Sequence, residues 1–411
     1  MNLIDLRHEL CRLAEQIEWS QLADRFGALY AENGRPGVPI RLMAGLHYLK
    51  HAFGLSDEAV VKSWRENPYW QYFCGEDYFQ HELPIDPSQM TRFRSRLGTS
   101  GCEALLKLTI AAGVASEAVA PSSFRQVTVD TTVQEKAIAF PTDARLYHKG
   151  RVWLVRLARQ SGIELRQSYR RKGKEALFMQ QRYAAARQMR RSRREMKRLK
   201  VYLGRVYRDL QRKLPAQSEA VRERFGIPMM RVKRLLAQQR NDQDKLYSLH
   251  APEVECIGKG KARQPYEFGV KASIAVTHRR GLIVGARAFP GNPYDGHILS
   301  AQLEQTNILL EDVGRTPKQV VVDLGFRGVD ADNPGVEIIH RGRFKSMTDQ
   351  QRRWLKRRQA IEPAIGHLKA DHRMNRCWLA GSLGDALHAV LCAAGYNLRW
   401  LLRAVVRGRI G

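Results

Sequence analysis

Apolar residues recur at helical spacing through the first 118 or so residues, with clear starts and stops between them. The run "PIRLMAGLHYLKHAFG" predicts a helix closed by Gly54. Ser56 then caps "SDEAVVKSWREN", whose first turn holds Asp57 and Glu58, where the positive end of a helix favours acids. Pro68 ends it. In "IDPSQMTRFRSRLG", Asp86 reads as the N-cap, Pro87 as the first helical residue, Gln89 as a capping-box partner and Gly98 as the stop. Met90, Phe93 and Leu97 fall on one face, and Gln89, Arg92 and Arg96 on another. That second face is either a DNA-reading face of helix-turn-helix type or an ordinary solvated basic face, and the sequence favours neither.

The period then changes to two. Val127, Val129, Thr131 and Val133 alternate with Thr128, Asp130, Thr132 and Gln134, a strand pattern. Helical periodicity returns near Asp143 and dominates to about residue 250. Residues 166–213 hold 18 Lys or Arg against 3 Asp or Glu. Within them Met196, Leu199, Leu203, Val206 and Leu210 form an apolar stripe at gaps of three and four. A further helix is expected from Pro228 to Tyr247. The cations of this stretch, Arg190, Arg194 and Lys197 among them, suit phosphate contact, against the plainer reading of a solvated amphipathic hairpin. Strands resume in "YEFGVKASIAVT" and "LIVGARAFPG", a hairpin about "HRRG". A helix of roughly His297–Glu311 follows, with Asp295 of "GNPYDGHIL" as its N-cap, then the strands "QVVVDLG" and "GVEIIH". The late segment is helical, with Thr348 and Gln351 as a capping pair and Ser382 capping the final helix. That order of elements predicts a mixed α/β sheet.

Charge changes the picture more than composition does. The chain has 411 residues, enough for two or three domains, and a formal net charge of +28 with pI near 10.2. So large a surplus predicts an extended polyanion as partner, nucleic acid first. "LHAVLCAAGYNLRWLLRAVV" contains Asn397, Arg399 and Arg403 and reads as a core helix, not a membrane span. "MNLIDLRHEL" has no apolar h-region, so no secretory signal is expected. The six cysteines are scattered, none within three residues of another, which suits a reducing cytoplasm and gives no zinc-type pairing.

Three acids stand in unusual settings: Asp130 inside a strand, Asp323 at the end of another, and Glu362 among basic residues on the late helix. Buried carboxylates are costly alone and repel one another when close. A divalent cation removes both problems, since Mg²⁺ binds through one or two carboxylates with substrate phosphate and water. Neighbouring strands lie about 4.8 Å apart, so two strand aspartates can share an ion. Arg358 and Lys369 flank Glu362 at four and seven residues, cations suited to phosphate, although Pro363 kinks or starts a helix there. Each acid also has a plain reading: Asp130 facing solvent, Asp323 capping the turn "DLGFRG", Glu362 balancing Arg357 and Arg358. Gly325 and Gly328 in that turn permit close backbone approach.

Taken together, "TVDTTVQEKAIAFPTDARL", "YEFGVKASIAVT", "GNPYDGH", "VVVDLGFRG" and "IEPAIGHLKADHRMNRCWLAG", with the N-terminal "GRPGVPIRLMAGLHYLKHAFGLSDEAVVKSWRENPYWQYFCG", resemble the DDE transposases of the insertion-sequence-five group (related to the insertion-sequence-four group), encoded by small bacterial mobile elements. The resemblance spans nearly the whole chain. It implies a ribonuclease-H-like mixed sheet flanked by helices, with Asp130, Asp323 and Glu362 as catalytic, metal-binding triad and Arg358 and Lys369 beside it. Where related transposases carry a Tyr three residues before that Arg, this chain has Leu355. The expected layout is a helical DNA-binding domain over 1–120, a first part of the core over 121–149, a basic helical insertion over 150–252, and the rest of the core over 253–411. The implied function is cleavage and strand transfer of double-stranded DNA at terminal inverted repeats, using two Mg²⁺ ions with Mn²⁺ as a substitute, by a homodimer or larger assembly on target DNA. The expected location is the bacterial cytoplasm at the nucleoid. The rivals are a nuclease of the same fold without strand transfer and a domesticated, non-catalytic DNA-binding regulator.

Overall fold

In the computed structural model, which describes residues 4–27, 37–258, 265–326, 328 and 332–408, the alternating stretch becomes strand β1 (Gln126–Glu135). Before it come α1 (Glu9–Gln16), α2 (Trp19–Phe26), α3 (Ile40–Ala52), α4 (Asp57–Glu66), α5 (Pro68–Phe73) and α6 (Ser88–Ala115). After it come α7 (Asp143–Gln160), α8 (Arg170–Ala185), α9 (Met189–Lys213), α10 (Glu219–Ala237) and β2 (Glu255–Gly258). The chain continues through β3 (Tyr266–Thr277), β4 (Ile283–Phe289), α11 (Asp295–Leu309), β5 (Gln319–Val321), β6 (Glu337–Ile339), α12 (Asp349–Arg357), α13 (Ile361–Ala370) and α14 (Gly381–Val406). It is mixed α/β and 61% helical. Residues 1–137 with 269–411 form one unit and residues 138–268 another.

In the first unit the sheet runs β4–β3–β1–β5–β6. β3 is antiparallel to β1 and β4, whereas β1 and β5, and β5 and β6, are parallel. β1 is therefore central, and Thr128, Thr132 and Gln134 are as buried as the valines between them. α11 covers one face: a Cβ on Gly285 of β4 would meet Gln302 and Thr306. Strand alternation puts Thr128 and Asp130 on the opposite face, where Ile361 and Ala364 of α13 line a cavity with Thr128.

The helices before β1 share one apolar core with the sheet and with α14. Ser56 caps α4 as expected, its Oγ accepting from Ala59 N at 3.1 Å. Inside the core, Arg94 donates to both oxygens of Asp57 at 2.8 and 2.7 Å, and Lys50 donates to the same carboxylate at 2.7 Å. Removing one member of so buried a set costs about 3–5 kcal/mol. α14 is long and apolar enough to span a membrane, but 78% of that stretch is buried within the protein. Its Asn397 donates to Ile283 O and Thr109 Oγ1 and accepts from Ile283 N, joining α14 to β4 and α6.

Several expected boundaries are corrected. α6 has Pro87 as N-cap, while Asp86 accepts from Ser88 N at 2.8 Å from just outside. Gln89 completes no capping box: its Oε1 is buried without a hydrogen-bond partner among the described residues. Gly98, at φ +61° and outside helical geometry, ends the first helical run of α6 as expected, and a second run continues beyond the kink with its apolar residues buried in the same core. Asp295 is the first helical residue of α11, not its cap. Ser382 lies inside α14, whose N-cap is Ala380.

The second unit has its own core, into which Leu199, Leu203, Val206 and Leu210 of α9 are fully buried and Met196 partly. Arg190, Arg194 and Lys197 are exposed on the other side of α9. α10 starts nine residues earlier than expected and ends at Ala237, with Pro228 buried in its interior. The proline reads as a start signal but is held by packing about Phe225 and Val232.

Candidate active site

Asp130 sits midway along β1, where the sheet gives its carboxylate little solvent. Its Oδ1 accepts from Thr131 N at 2.8 Å and its Oδ2 from Arg358 Nη1 at 3.2 Å. Burial nevertheless pushes its acid up to about 6. Thr131 and Arg358 oppose that rise, and the charges of Asp323 and Glu362 add to it. The charges of Asp323 and Glu362 thus both bear on Asp130, as neighbouring carboxylates do.

The second acid is set by the parallel pairing. Gln126, Val127 and Thr128 pair with Gln319, Val320 and Val321, a constant offset of 193 that also separates Asp130 from Asp323. Asp323 lies two residues past the end of β5 and accepts from Gly325 N at 2.8 Å, so it also makes the turn-capping bond of the plain reading. Buried Phe326 anchors that turn. A Cβ added to Gly325 would stand 3.0 Å from both Asp323 Oδ1 and Asp295 Oδ2, so a larger residue there would make one of those carboxylates give way by a few tenths of an ångström.

Glu362 is exposed on the first turn of α13, and Ile361, Ala364 and Leu368 hold that helix against β1. The helical break falls before Glu362, at the 3₁₀ turn Arg358–Ala360, and Pro363 sits in the first turn of α13, where its missing N–H is no loss. At that break Arg358 turns towards Asp130. Lys369 occupies the last turn of α13. Leu355 packs with Trp354 against Val321, Ile339 and Met347, an apolar niche beneath β5 and β6. Arg92 and Arg96 are exposed on α6, with Gln89 half-buried beside them.

Sequence reasoning missed one pair. Lys271 of β3 donates to Asp295 Oδ1 at 2.7 Å and to the carbonyl of Pro293, so Asp295 is turned to Lys271 and to the Asp323 turn at once. "GNPYDGH" marked Asp295, but nothing marked Lys271 within its strand. The donor set about Asp130, Asp323 and Glu362 is all carboxylate oxygen, which fits a hard divalent cation.

Residues 1–96 match the transposase domain family DUF772, and residues 335–402, with Arg358, Glu362 and Lys369 inside them, match the transposase DDE domain. Asp130 and Asp323 lie between the two matched segments. Over 186 residues the chain is 54% identical to the uncharacterized protein ORF8 in the nfe locus of Rhizobium meliloti, covering 45% of this chain and 90% of that protein. No solved structure matches. Both matched domains define a transposase. The chain belongs to the DDE transposases of insertion sequences, enzymes that act on DNA and depend on a divalent metal.

Proposed function

We propose that this transposase cuts DNA at the terminal inverted repeats of its element and joins the freed 3′ ends to target DNA, with Asp130, Asp323 and Glu362 as the catalytic triad. The observation that carries the reading is the offset of 193 that the β1–β5 pairing shares with Asp130 and Asp323, together with the charges of Asp323 and Glu362 that bear on Asp130. The strand order β4–β3–β1–β5–β6, with its antiparallel and then parallel pairing, supports a ribonuclease-H-like core. The quoted motifs support the insertion-sequence-five group.

The three carboxylates would hold Mg²⁺, two ions in the full site, with Mn²⁺ as a substitute. When bound, the ions supply activation of the attacking oxygen and stabilisation of the leaving oxygen in an in-line displacement. Water attacks first and the 3′ hydroxyl second, so one site serves both steps. Thr131 N and Arg358 fix the orientation of Asp130. Gly325 keeps the backbone clear of Asp323. Lys369 contacts the DNA backbone, as do Arg92 and Arg96 of the 1–120 domain, with Gln89, and Arg190, Arg194 and Lys197 of the 150–252 insertion. Pairing two ends requires a dimer or larger assembly on DNA.

Asp323→Asn tests the triad. Cleavage of an end-bearing duplex should fall by a factor of about 10³ or more, with DNA affinity and fold unchanged. Wild-type rates in that variant would refute the assignment. With precut ends supplied, wild type should yield joined product. Cleavage without joining would leave a nuclease of the same fold.

A further inference from the structure

His51, in the last turn of α3, and His388 and Cys392, four residues apart on α14, converge inside the core of the first unit. Their exposures are 1%, 5% and 0%. Cys392 Sγ lies 3.7 Å from His51 Nδ1 and 3.6 Å from His388 Nε2. One ligand atom from each residue falls within 4.8 Å of the others. Zinc bound to thiolate and imidazole at its usual bond lengths and tetrahedral angle sets sulfur and nitrogen about 3.5 Å apart. Both sulfur–nitrogen edges are therefore already close to that spacing. The i,i+4 separation of His388 and Cys392 puts both on one face of α14.

His51 turns Nδ1 to the Cys392 thiol, its long-range partner among the described residues. Its buried Nε2, the other ring nitrogen, has no hydrogen-bond partner among the described residues. The carbonyl of Arg373, a non-glycine residue held at φ +69°, lies 3.0 Å from His388 Nε2 and adds one oxygen beside the two imidazoles and the thiol. The surrounding backbone is fixed: His372 Nδ1 donates to His51 O at 2.9 Å, and Gly395 is so close that a Cβ there would lie 2.5 Å from His51. Burial lowers both imidazoles, His388 to about 3, so each ring is neutral and keeps one nitrogen free of a proton.

We propose that His51, His388 and Cys392 bind a structural Zn²⁺ ion that fastens α3 to α14. On binding, the Cys392 thiol gives its proton to solvent and becomes the thiolate ligand, and His388 shifts its N–H to Nδ1 as Nε2 turns to the metal. The site is closed to solvent, the mark of a structural and not a catalytic zinc. It joins the segment matching the transposase domain to the segment matching the DDE domain, across 341 residues of sequence.

The full chain, purified without chelator, incubated with excess zinc and desalted, should retain about one zinc ion per chain by mass spectrometry of metals. Cys392→Ser and His388→Gln should each lose it. Wild type retaining less than about a tenth of an equivalent overturns the proposal. The cobalt-loaded wild type should show a thiolate-to-cobalt charge-transfer band, and its absence overturns the proposal even if neither variant folds. Asp323→Asn should keep its zinc while losing cleavage. Loss of zinc in that variant would move the ion to the acidic site and also overturn this assignment, whereas normal cleavage there would count against the triad alone.

Discussion

Gly325 shows how much of the candidate site rests on a missing side chain. A methyl group there would press on Asp323 and Asp295 together, so Gly325→Ala should displace a carboxylate by a fraction of an ångström or more. We expect DNA cleavage to fall by a factor of about 100 with thermal stability little changed, measured on an end-bearing duplex; wild-type cleavage would mean that neither carboxylate has to stay where it is. As candidates the three acids were legible in the sequence, Asp130 and Asp323 because carboxylates are rare in and just after apolar strands, Glu362 because it stands among cations on a helix. Their neighbours were not. The bond from Arg358 to Asp130 depends on where a helix breaks, and Pro363 marked that break only to within a few residues. The Lys271–Asp295 pair joins a strand to a helix start through a side-chain direction that spacing does not encode. Leu355 stands where the resemblance implies a tyrosine, and its apolar contacts with Val321 and Ile339 account for a leucine fitting there.

Two helix starts were read to the residue. Ser56 and Thr348 announce α4 and α12 through short-range side-chain bonds, and the box of Thr348 and Gln351 is present as expected. Gly98 breaks the helical run as expected, whereas the full extent of α10 follows from tertiary packing, which lets Pro228 be passed over. α14 carries a prediction of its own. Asn397 satisfies the backbone of Ile283 in both directions and also binds Thr109, with no solvent to replace it. Asn397→Leu leaves buried polar groups stranded, and should lower unfolding free energy by about 3 kcal/mol in urea titrations. A change under about 0.5 kcal/mol would mean that the core relaxes around the loss.

With a net charge of +28, DNA affinity should fall steeply as salt rises. The exposed cations of α9 make that testable by part. Replacing Arg190, Arg194 and Lys197 with alanine should flatten the slope of log affinity against log salt by about 0.9 per lost phosphate contact, read by fluorescence anisotropy. An unchanged slope would remove α9 from the contact surface. The mixed α/β character was legible from the order of periodicities, because each element keeps one period over its length. Strand order was not, because β1 pairs with strands that follow more than 130 residues later. That separation has a consequence during synthesis. A ribosome that has reached residue 320 has made one of the three acids and none of α14, the helix on which the core of the first unit closes. A messenger cut short before Glu362 thus yields a chain that carries most of the positive charge yet lacks the complete acidic cluster, so an interrupted copy of the gene encodes no partial version of that cluster's chemistry.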